Sequence, residues 1–204
     1  MRIFIAVKIP GPLKKKIFHI QQELKGKIEK IKWVDAELLH FTLKFLGEIS
    51  EEGLKKVEKV SFQIASESNP FVLEIKGMGI FPDYSSPRVI WIGVEEGGER
   101  IEELARRLDK KLSEEGFIKE KREWVPHLTI GRVKFLREKE KFKELILSKE
   151  KVEIGKMKVE SLNIIQSHLT PKGPIYKTLK EYCFKEGENE RREIKSLRDS
   201  QKAD

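Results

Sequence analysis

A chain of 204 residues with 38% apolar residues is long enough for one domain or for two fused similar halves. Its single cysteine, Cys183, excludes an intrachain disulfide scaffold and a metal cluster built on cysteines. The formal net charge of +8 predicts a salt-sensitive attraction to polyanions. Since no apolar run approaches the roughly 18 residues that a membrane span needs, we expect a cytoplasmic monomer with no membrane partner.

The predicted elements alternate between strands and helices along the chain. Apolar residues at intervals of three and four predict three helices, with the buried stripes Leu13, Ile17, Ile20, Leu24 and Ile28, then Leu54, Val57, Val60 and Ile64 after a Ser50 cap, then Ile101, Leu104, Leu108 and Leu112. A weaker helix is expected near residues 137–148. The predicted strands cover approximately residues 2–9, 38–46, 71–81, 88–95, 127–134, 156–167 and 178–184. This interleaving predicts an α/β or α+β fold.

One sequence unit occurs twice, which indicates a duplicated half-domain. Each copy consists of a predicted helix, a Trp-Val pair and a strand that contains a histidine. Trp33 begins the pair before His40, and Trp124 begins the pair before His127. The stretch 185–204 is too poor in apolar residues to carry core, so we expect an exposed helix or a mobile arm without a chemical role.

Three of the four histidines are followed two residues later by a threonine. Because side chains alternate along a strand, each motif puts an imidazole and a hydroxyl side by side on one face. In the first motif the expected outer face is His40, Thr42 and Lys44, and the expected core face is Phe41, Leu43 and Phe45. In the second motif the expected outer face is His127 and Thr129, and the expected core face is Leu128 and Ile130.

Two imidazoles and two hydroxyls suit the chemistry of a phosphodiester. The hydroxyls can donate hydrogen bonds to phosphate oxygens, while one neutral and one protonated imidazole act as base and acid on opposite sides of phosphorus. Histidine fits because its ordinary pKa of about 6.5 allows both forms near neutrality. This scheme requires no metal and no other cofactor. The alternatives are a pair of structural strand histidines and a zinc site, although the sequence has no ligands at typical zinc spacing.

The third motif, which begins at His168, differs from the other two. Pro171 and Gly173 follow it closely, so we expect the motif to end a strand and enter a turn. It also lies outside both copies of the repeat. The sequence therefore predicts that His168 is not catalytic.

These motifs resemble the RNA 2′,3′-cyclic phosphodiesterases, also called RNA 2′,5′-ligases, of the two-histidine phosphoesterase superfamily. The resemblance covers about residues 1–184 and rests on four segments: MRIFIAV, WVDAELLHFTLKFLGE, VPHLTIGR and SHLTPKGPIYKTL. The last is similar to the family pattern S-x-L-x-P-x-G-P-x-Y. The charged tail, residues 185–204, and the histidine in the late segment depart from the family.

The resemblance implies an α+β fold of two similar lobes, each an antiparallel sheet with helices on its outer face, around a central cleft. It also implies a set of roles: His40 as proton donor, His127 as proton acceptor, Thr42 and Thr129 as phosphate-binding residues, Arg132 as an added positive charge and Tyr176 as part of a base pocket. Strict alternation turns Arg132 away from His127, so its role requires the strand to bend near Gly131. An ordinary core position for Tyr176 remains open.

The leading hypothesis is hydrolysis of a 2′,3′-cyclic phosphate at an RNA end, which leaves a 2′-phosphate. If the 5′-hydroxyl of a second RNA replaces water, the same site forms a 2′,5′ linkage, with tRNA half-molecules as candidate partners. A different class of function is an RNA-binding module that grips phosphate without turnover. An aromatic content of 8% without clusters of aromatic residues offers little base stacking, which counts against that module.

Overall fold

Nine strands and four helices make up the part of the chain that the computed structural model describes, namely residues 1–26, 30–121, 124–171 and 173–185. The strands are β1 (Arg2–Lys8), β2 (Ile31–Trp33), β3 (His40–Glu48), β4 (Phe71–Phe81), β5 (Val89–Val94), β6 (Leu128–Val133), β7 (Glu153–Val159), β8 (Ser161–Thr170) and β9 (Gly173–Cys183). The helices are α1 (Gly11–Leu24), α2 (Glu51–Ser66), α3 (Gly98–Glu114) and α4 (Lys139–Leu147), with a 3₁₀ helix at Ala36–Leu38.

The strands form two antiparallel sheets with matching strand orders. One sheet has four strands in the order β3-β1-β8-β9, and the other has five in the order β2-β6-β5-β4-β7. If β2 is left out, the two sheets match strand by strand: β3 corresponds to β6, β1 to β5, β8 to β4 and β9 to β7. Helices pack against each sheet, so the predicted α+β fold with two similar lobes around a cleft is confirmed.

Two helices cross from one lobe to the other. Helix α1 follows β1 of the four-stranded sheet but packs on the five-stranded sheet, where Lys16 Nζ donates to the Ile154 carbonyl at 2.9 Å. Helix α3 follows β5 of the five-stranded sheet but packs against β3 and α2. The two lobes therefore interlock, and one apolar core runs through both of them.

The helices form where the apolar periodicity predicts them. Ser50 caps α2, because its hydroxyl accepts the Gly53 N–H at 3.0 Å. The predicted stripes of α1 and α3 are buried, and in α2 Val57, Val60 and Ile64 are buried too. Ile28 and the tail beyond Lys185 lie outside the described residues. None of the described helices is long and apolar enough to span a membrane.

Two strand predictions are wrong in their limits, and one strand was missed. The strand expected at 156–167 is two strands that belong to different sheets, with the chain crossing between them at Glu160. Strand β9 begins at Gly173, because Pro174 is tolerated near the start of a strand at the sheet edge. Strand β2 was not predicted, since three residues are too few to show a period.

Candidate active site

A cleft of about 640 Å³ between the lobes contains both predicted motifs. The predicted site residues that line it are His40, Thr42, His127, Thr129, Arg132 and Tyr176. His168 is exposed on β8 and does not line this cleft. The fold therefore brings the two repeated motifs together. Of the third motif, Leu169 and Thr170 line the cleft while His168 does not.

Both motif histidines are held by the same backbone contact. His40 Nδ1 lies 2.7 Å from the Leu38 carbonyl, and His127 Nδ1 lies 2.8 Å from the Val125 carbonyl. A carbonyl oxygen can only accept a hydrogen bond, so each Nδ1 carries a proton. The Nε2 atom of each ring is therefore the one left for acid–base chemistry.

Aromatic rings pack beside each imidazole. The His40 ring lies 4.8 Å from the Phe4 ring and 5.4 Å from the Tyr176 ring, centroid to centroid. The His127 ring meets Phe81 at 5.1 Å, nearly perpendicular. These contacts, together with the Nδ1 hydrogen bonds, restrict the orientation of both imidazoles.

The ionisation of His40 is affected by its surroundings. Burial lowers the pKa of His40 below its usual range, the hydrogen bond to Leu38 works in the opposite direction, and the positive charge of His127 lowers it further. His40 Nε2 also lies 3.0 Å from Thr42 Oγ1. Burial and the nearby imidazole of His127 both disfavour the charged form of His40, so the two rings interact electrostatically.

A β-bulge after Thr42 corrects the predicted alternation in β3. Ala6 of β1 pairs with Thr42 while Ile5 pairs with Lys44, so Leu43 is the extra residue. Beyond this bulge the faces are exchanged: Lys44 is buried at 7% exposure, and Phe45 lines the cleft. The expectation of an outward Lys44 and a core Phe45 is therefore wrong.

The second motif contains the same bulge at the equivalent position. Trp91 pairs with Thr129 and Ile90 pairs with Gly131, so Ile130 is the extra residue in β6. The bulge turns Arg132 onto the cleft face with Thr129. The bend that Arg132 requires near Gly131 is thus present.

Polar residues of the two crossing helices, buried Gln21 and partly buried Asp109, support the bulges from behind. Gln21 Nε2 of α1 donates to the Val34 carbonyl at 2.7 Å and to the Ile130 carbonyl at 2.9 Å. In the other lobe, Lys44 Nζ donates to Asp109 Oδ1 of α3 at 2.5 Å. Helix α1 thereby holds the backbone at the β6 bulge through Gln21. Helix α3 holds the Lys44 side chain next to the β3 bulge through Asp109.

The Asp109 carboxylate is a charged group in a mostly buried position. Burial works to raise the pKa of Asp109, but the hydrogen bonds from Lys44 and from the Glu120 N–H outweigh it, so the pKa lies below its usual range. Lys44 also donates to the Ile118 carbonyl at 2.7 Å. The ion pair therefore joins β3, α3 and the segment that leads to the second motif.

The repeated tryptophans each pack on the motif strand of the other copy. Trp124 Nε1 donates to the Thr42 carbonyl at 3.1 Å. The Trp33 ring lies against Gly131, where an added Cβ would be only 3.1 Å from the ring. This exchange ties the two motifs to each other and explains why the Trp-Val pair recurs before each histidine.

The sequence did not identify several residues that line the cleft: Arg2, Phe4, Lys32, Phe45 and Lys134. Arg2 and Phe4 share one face of β1, and the apolar residues on both faces of that strand are typical of a central strand. The guanidinium of Arg2 lies 5.0 Å from the centre of the Phe45 ring. The cleft positions of Phe45 and Lys32 could not be predicted from the sequence, because the first depends on a β-bulge and the second on a strand of only three residues.

Tyr176 belongs both to the cleft and to a small apolar cluster behind it. It packs edge-on against Phe4 at 5.0 Å in a cluster separate from the main core. Burial raises the pKa of Tyr176, and the positive charges of Arg132 and Arg2 oppose that rise. The phenol is therefore close enough to both guanidinium groups to sense their charge.

Among the described residues, no group of three or more His, Cys, Asp or Glu side chains is placed to hold a metal ion. The charged side chains that line the cleft are Arg2, Lys32, Asp35, Arg132 and Lys134. Apart from the imidazoles, the cleft is therefore mostly cationic and suited to an anionic ligand.

Comparison with known proteins gives consistent matches over nearly the whole described chain. The family described as AKAP7 2′5′ RNA ligase-like domain matches residues 3–184. A Methanocaldococcus jannaschii protein named RNA 2′,3′-cyclic phosphodiesterase is 42% identical over 182 residues, which is 89% of this chain and 100% of that protein. A Thermotoga maritima protein of the same name is 37% identical over 189 residues, 92% of this chain and 97% of that protein.

Solved structures share the fold. The crystal structure of TT0787 from Thermus thermophilus superposes with a TM-score of 0.78 at 28% identity, covering 90% of this chain and 98% of that one. The E. coli LigT structure complexed with 3′-AMP has a TM-score of 0.73 at 23% identity, covering 90% and 97%. This second likeness concerns the fold alone.

Proposed function

The chain belongs to the RNA 2′,3′-cyclic phosphodiesterase family, and we propose that it hydrolyses the 2′,3′-cyclic phosphate at an RNA end to a 2′-phosphate. The observation that carries this proposal is the pair of motif histidines in one cleft. Each has its Nδ1 engaged by a carbonyl and its Nε2 left for catalysis. This arrangement supplies an acid and a base without a metal ion.

In the proposed reaction, His127 Nε2 accepts a proton from water as the water oxygen attacks phosphorus. The bond from phosphorus to the 3′ oxygen breaks, and His40 Nε2 donates a proton to that leaving oxygen. A 2′-phosphate and a free 3′-hydroxyl result. An alkoxide is a poor leaving group, so protonation by His40 is an essential part of the step.

The threonines and Arg132 act on the phosphate itself. The hydroxyls of Thr42 and Thr129 donate to the non-bridging oxygens, and the guanidinium of Arg132 adds positive charge where negative charge develops. The bound phosphate also favours protonated His40, because an anion nearby stabilises the imidazolium. Substrate binding thereby offsets the effect of burial on His40.

The chemistry of the cleft walls indicates how the nucleotide lies. Phe4, Phe45 and Tyr176 form an aromatic wall on the side of His40, where a nucleoside can pack. The 3′ oxygen of that nucleoside then faces His40, and the attacking water approaches from His127. This orientation agrees with release of the 3′ oxygen and retention of phosphate on the 2′ oxygen.

Ligation is the second candidate, in which an RNA 5′-hydroxyl takes the place of water at His127. Lys32, Arg132 and Lys134 line the cleft on the lobe of His127, and a second RNA strand is itself a polyanion. The two histidines would keep their roles, since the 5′-hydroxyl loses its proton to the base as water does. A partner strand such as a tRNA half-molecule would enter from that side.

Turnover of a short RNA ending in a 2′,3′-cyclic phosphate tests the proposal. The purified protein is incubated with this RNA and excess chelator, and the products are separated by chromatography. We expect conversion of the cyclic end to a phosphomonoester at an unchanged rate with and without chelator. Binding without conversion would instead support a non-catalytic RNA-binding module, and loss of activity restored by a divalent ion would support metal catalysis.

A further inference from the structure

Strand β2 breaks the correspondence between the two lobes. It lies beside β6 at the edge of the five-stranded sheet, whereas β3, the counterpart of β6, is itself the edge of the four-stranded sheet. The crossing segment before His40 thus adds a strand to the His127 lobe. Within the described residues, the segment before His127 adds none to the His40 lobe.

This added strand lines up positively charged side chains with those of β6. Lys32 of β2 lies directly opposite Arg132, so both side chains are on the cleft face. Lys134 follows on the same face, and its N–H donates to the Lys30 carbonyl at 2.9 Å. We call Lys30, Lys32, Arg132 and Lys134 the cationic strip.

The cationic strip has little neutralising charge around it. All four of its side chains are exposed, and none forms an ion pair within the part of the chain that the structure describes. Asp35 is the acidic residue that lines the cleft, and its carboxylate accepts the Glu37 N–H at 2.9 Å. Like charges directly opposite each other destabilise a sheet, so the strip favours an external anion.

The strip ends at an exposed aromatic ring. Lys30 Nζ lies 5.3 Å from the centre of the Phe135 ring, and Phe135 is 48% exposed. Residues two apart on a strand are separated by roughly 7 Å, so Arg132 and Lys134 can meet successive phosphates of an extended strand. Lysines beside an exposed aromatic ring are the combination that single-stranded nucleic acid binds.

We propose that the lysines of the cationic strip, which continues outward from Arg132, bind the phosphodiester backbone of an RNA strand outside the reaction centre, an inference that rests on the proposed function. The backbone has two sources. It is either the substrate strand upstream of its cyclic end or the 5′-hydroxyl strand that approaches His127 in ligation. Both present the same row of phosphates.

Two double variants with equal charge change test the strip. Lys32→Gln/Lys134→Gln removes two of its charges, and Lys55→Gln/Lys110→Gln removes two exposed lysines from α2 and α3, which pack around the other sheet. Hydrolysis is measured for a dinucleotide and for an RNA of roughly fifteen nucleotides, both with cyclic ends, over a range of salt concentrations.

If the substrate strand lies on the strip, the strip variant loses more kcat/KM with the long RNA than with the dinucleotide. The slope of log kcat/KM against log salt for the long RNA also becomes shallower by about 1.4, at about 0.7 for each lost phosphate contact. If a second strand lies there, a long 5′-hydroxyl RNA with a blocked 3′ end inhibits dinucleotide hydrolysis, and the strip variant weakens that inhibition. In either case the control variant behaves as the wild type.

The inference is overturned if the strip variant changes neither the length dependence nor the inhibition, or if the control variant changes them equally. Failure of the wild type to hydrolyse the dinucleotide would contradict the proposed function instead. The two failures are therefore distinguishable in one set of assays.

Discussion

Phe45 and Arg132 occupy equivalent positions in the two lobes. Each follows the bulge of its motif strand, and Phe45 pairs with Phe4 as Arg132 pairs with Val89. The same β-bulge therefore places an aromatic ring on the cleft face of the His40 lobe and a guanidinium on the cleft face of the His127 lobe. The two motif histidines, which are related by the repeat, therefore face two chemically different cleft walls.

Different kinetic effects are expected when these two residues are changed. Phe45→Ala should raise KM for a cyclic dinucleotide by roughly ten- to a hundredfold with a small change in kcat, because it removes a stacking surface. Arg132→Gln should lower kcat by up to about 10²-fold, because the guanidinium acts on charge that develops in the transition state. Steady-state kinetics on both variants check this division, and the reverse pattern would contradict it.

The two motif histidines should dominate turnover. His40→Ala and His127→Ala are each expected to lower kcat by about 10²–10⁴-fold, since each removes one partner in proton transfer. His168→Ala is the matched control, because it removes a histidine of the same motif that does not line the cleft. Equal damage from His168→Ala would show that the wrong motifs were chosen.

The ionisation of His40 should change when the site is occupied. In the free protein, NMR titration of the imidazole protons should give His40 a pKa below its ordinary value, because burial disfavours the charged ring. A bound nucleoside 2′-phosphate should raise that pKa, since the phosphate stabilises the imidazolium. A His40 pKa above the ordinary value in the free protein would contradict this account.

The pH dependence of the rate follows from the same pair. One imidazole must be neutral and the other protonated, so the profile of kcat/KM should be bell-shaped. The rings influence each other, so the two apparent pKa values belong to the pair. A rate that rises steadily across the histidine range would argue against paired acid–base catalysis.

The Lys44–Asp109 ion pair should matter for stability. Asp109→Ala should lower the free energy of unfolding by about 3–5 kcal/mol, because it leaves the buried Lys44 ammonium without its partner. Lys44→Ala should lower it by less, because the Asp109 carboxylate is only partly buried and keeps the Glu120 N–H as a partner. Lys44→Met/Asp109→Leu should recover most of that loss. Glu103→Ala, which removes an exposed ion pair with Arg106, should cost less than about 1 kcal/mol.

Urea unfolding at several pH values checks the ion pair further. The pKa of Asp109 is lowered in the folded state, so its contribution to stability is present above its unfolded pKa of about 3.9 and is lost as the pH falls through the folded value. The double variant should lack this part of the acid sensitivity. Single variants as stable as the wild type would show that the pair does not hold the fold.

The sequence predicted the parts of the site that depend on local pattern. The spacing of His40 and Thr42 places both on the cleft, and the repeat predicts that His127 and Thr129 join them. Alternation then failed after each threonine, because a β-bulge depends on pairing with a neighbouring strand that the sequence does not specify. Lys44 was misplaced for that reason.

Contacts made by segments that cross from one lobe to the other could not be predicted from the sequence either. Gln21 lies in the apolar stripe of α1, and nothing local indicates that its amide reaches the Ile130 carbonyl. The lysines of the cationic strip come together only because three residues of β2 pair with β6. Such contacts join distant segments, so they become visible only in the folded chain.

In the proposed reaction, His40 protonates the 3′ oxygen while His127 activates the attacking water. Its most direct test is the position of phosphate in the product of a short RNA with a 2′,3′-cyclic end, determined by phosphorus NMR in the presence of chelator. We expect a 2′-phosphate from the wild type and from His168→Ala, with no appreciable product from His40→Ala or His127→Ala. A 3′-phosphate, or a cyclic end that stays intact with the wild type, would contradict the claim.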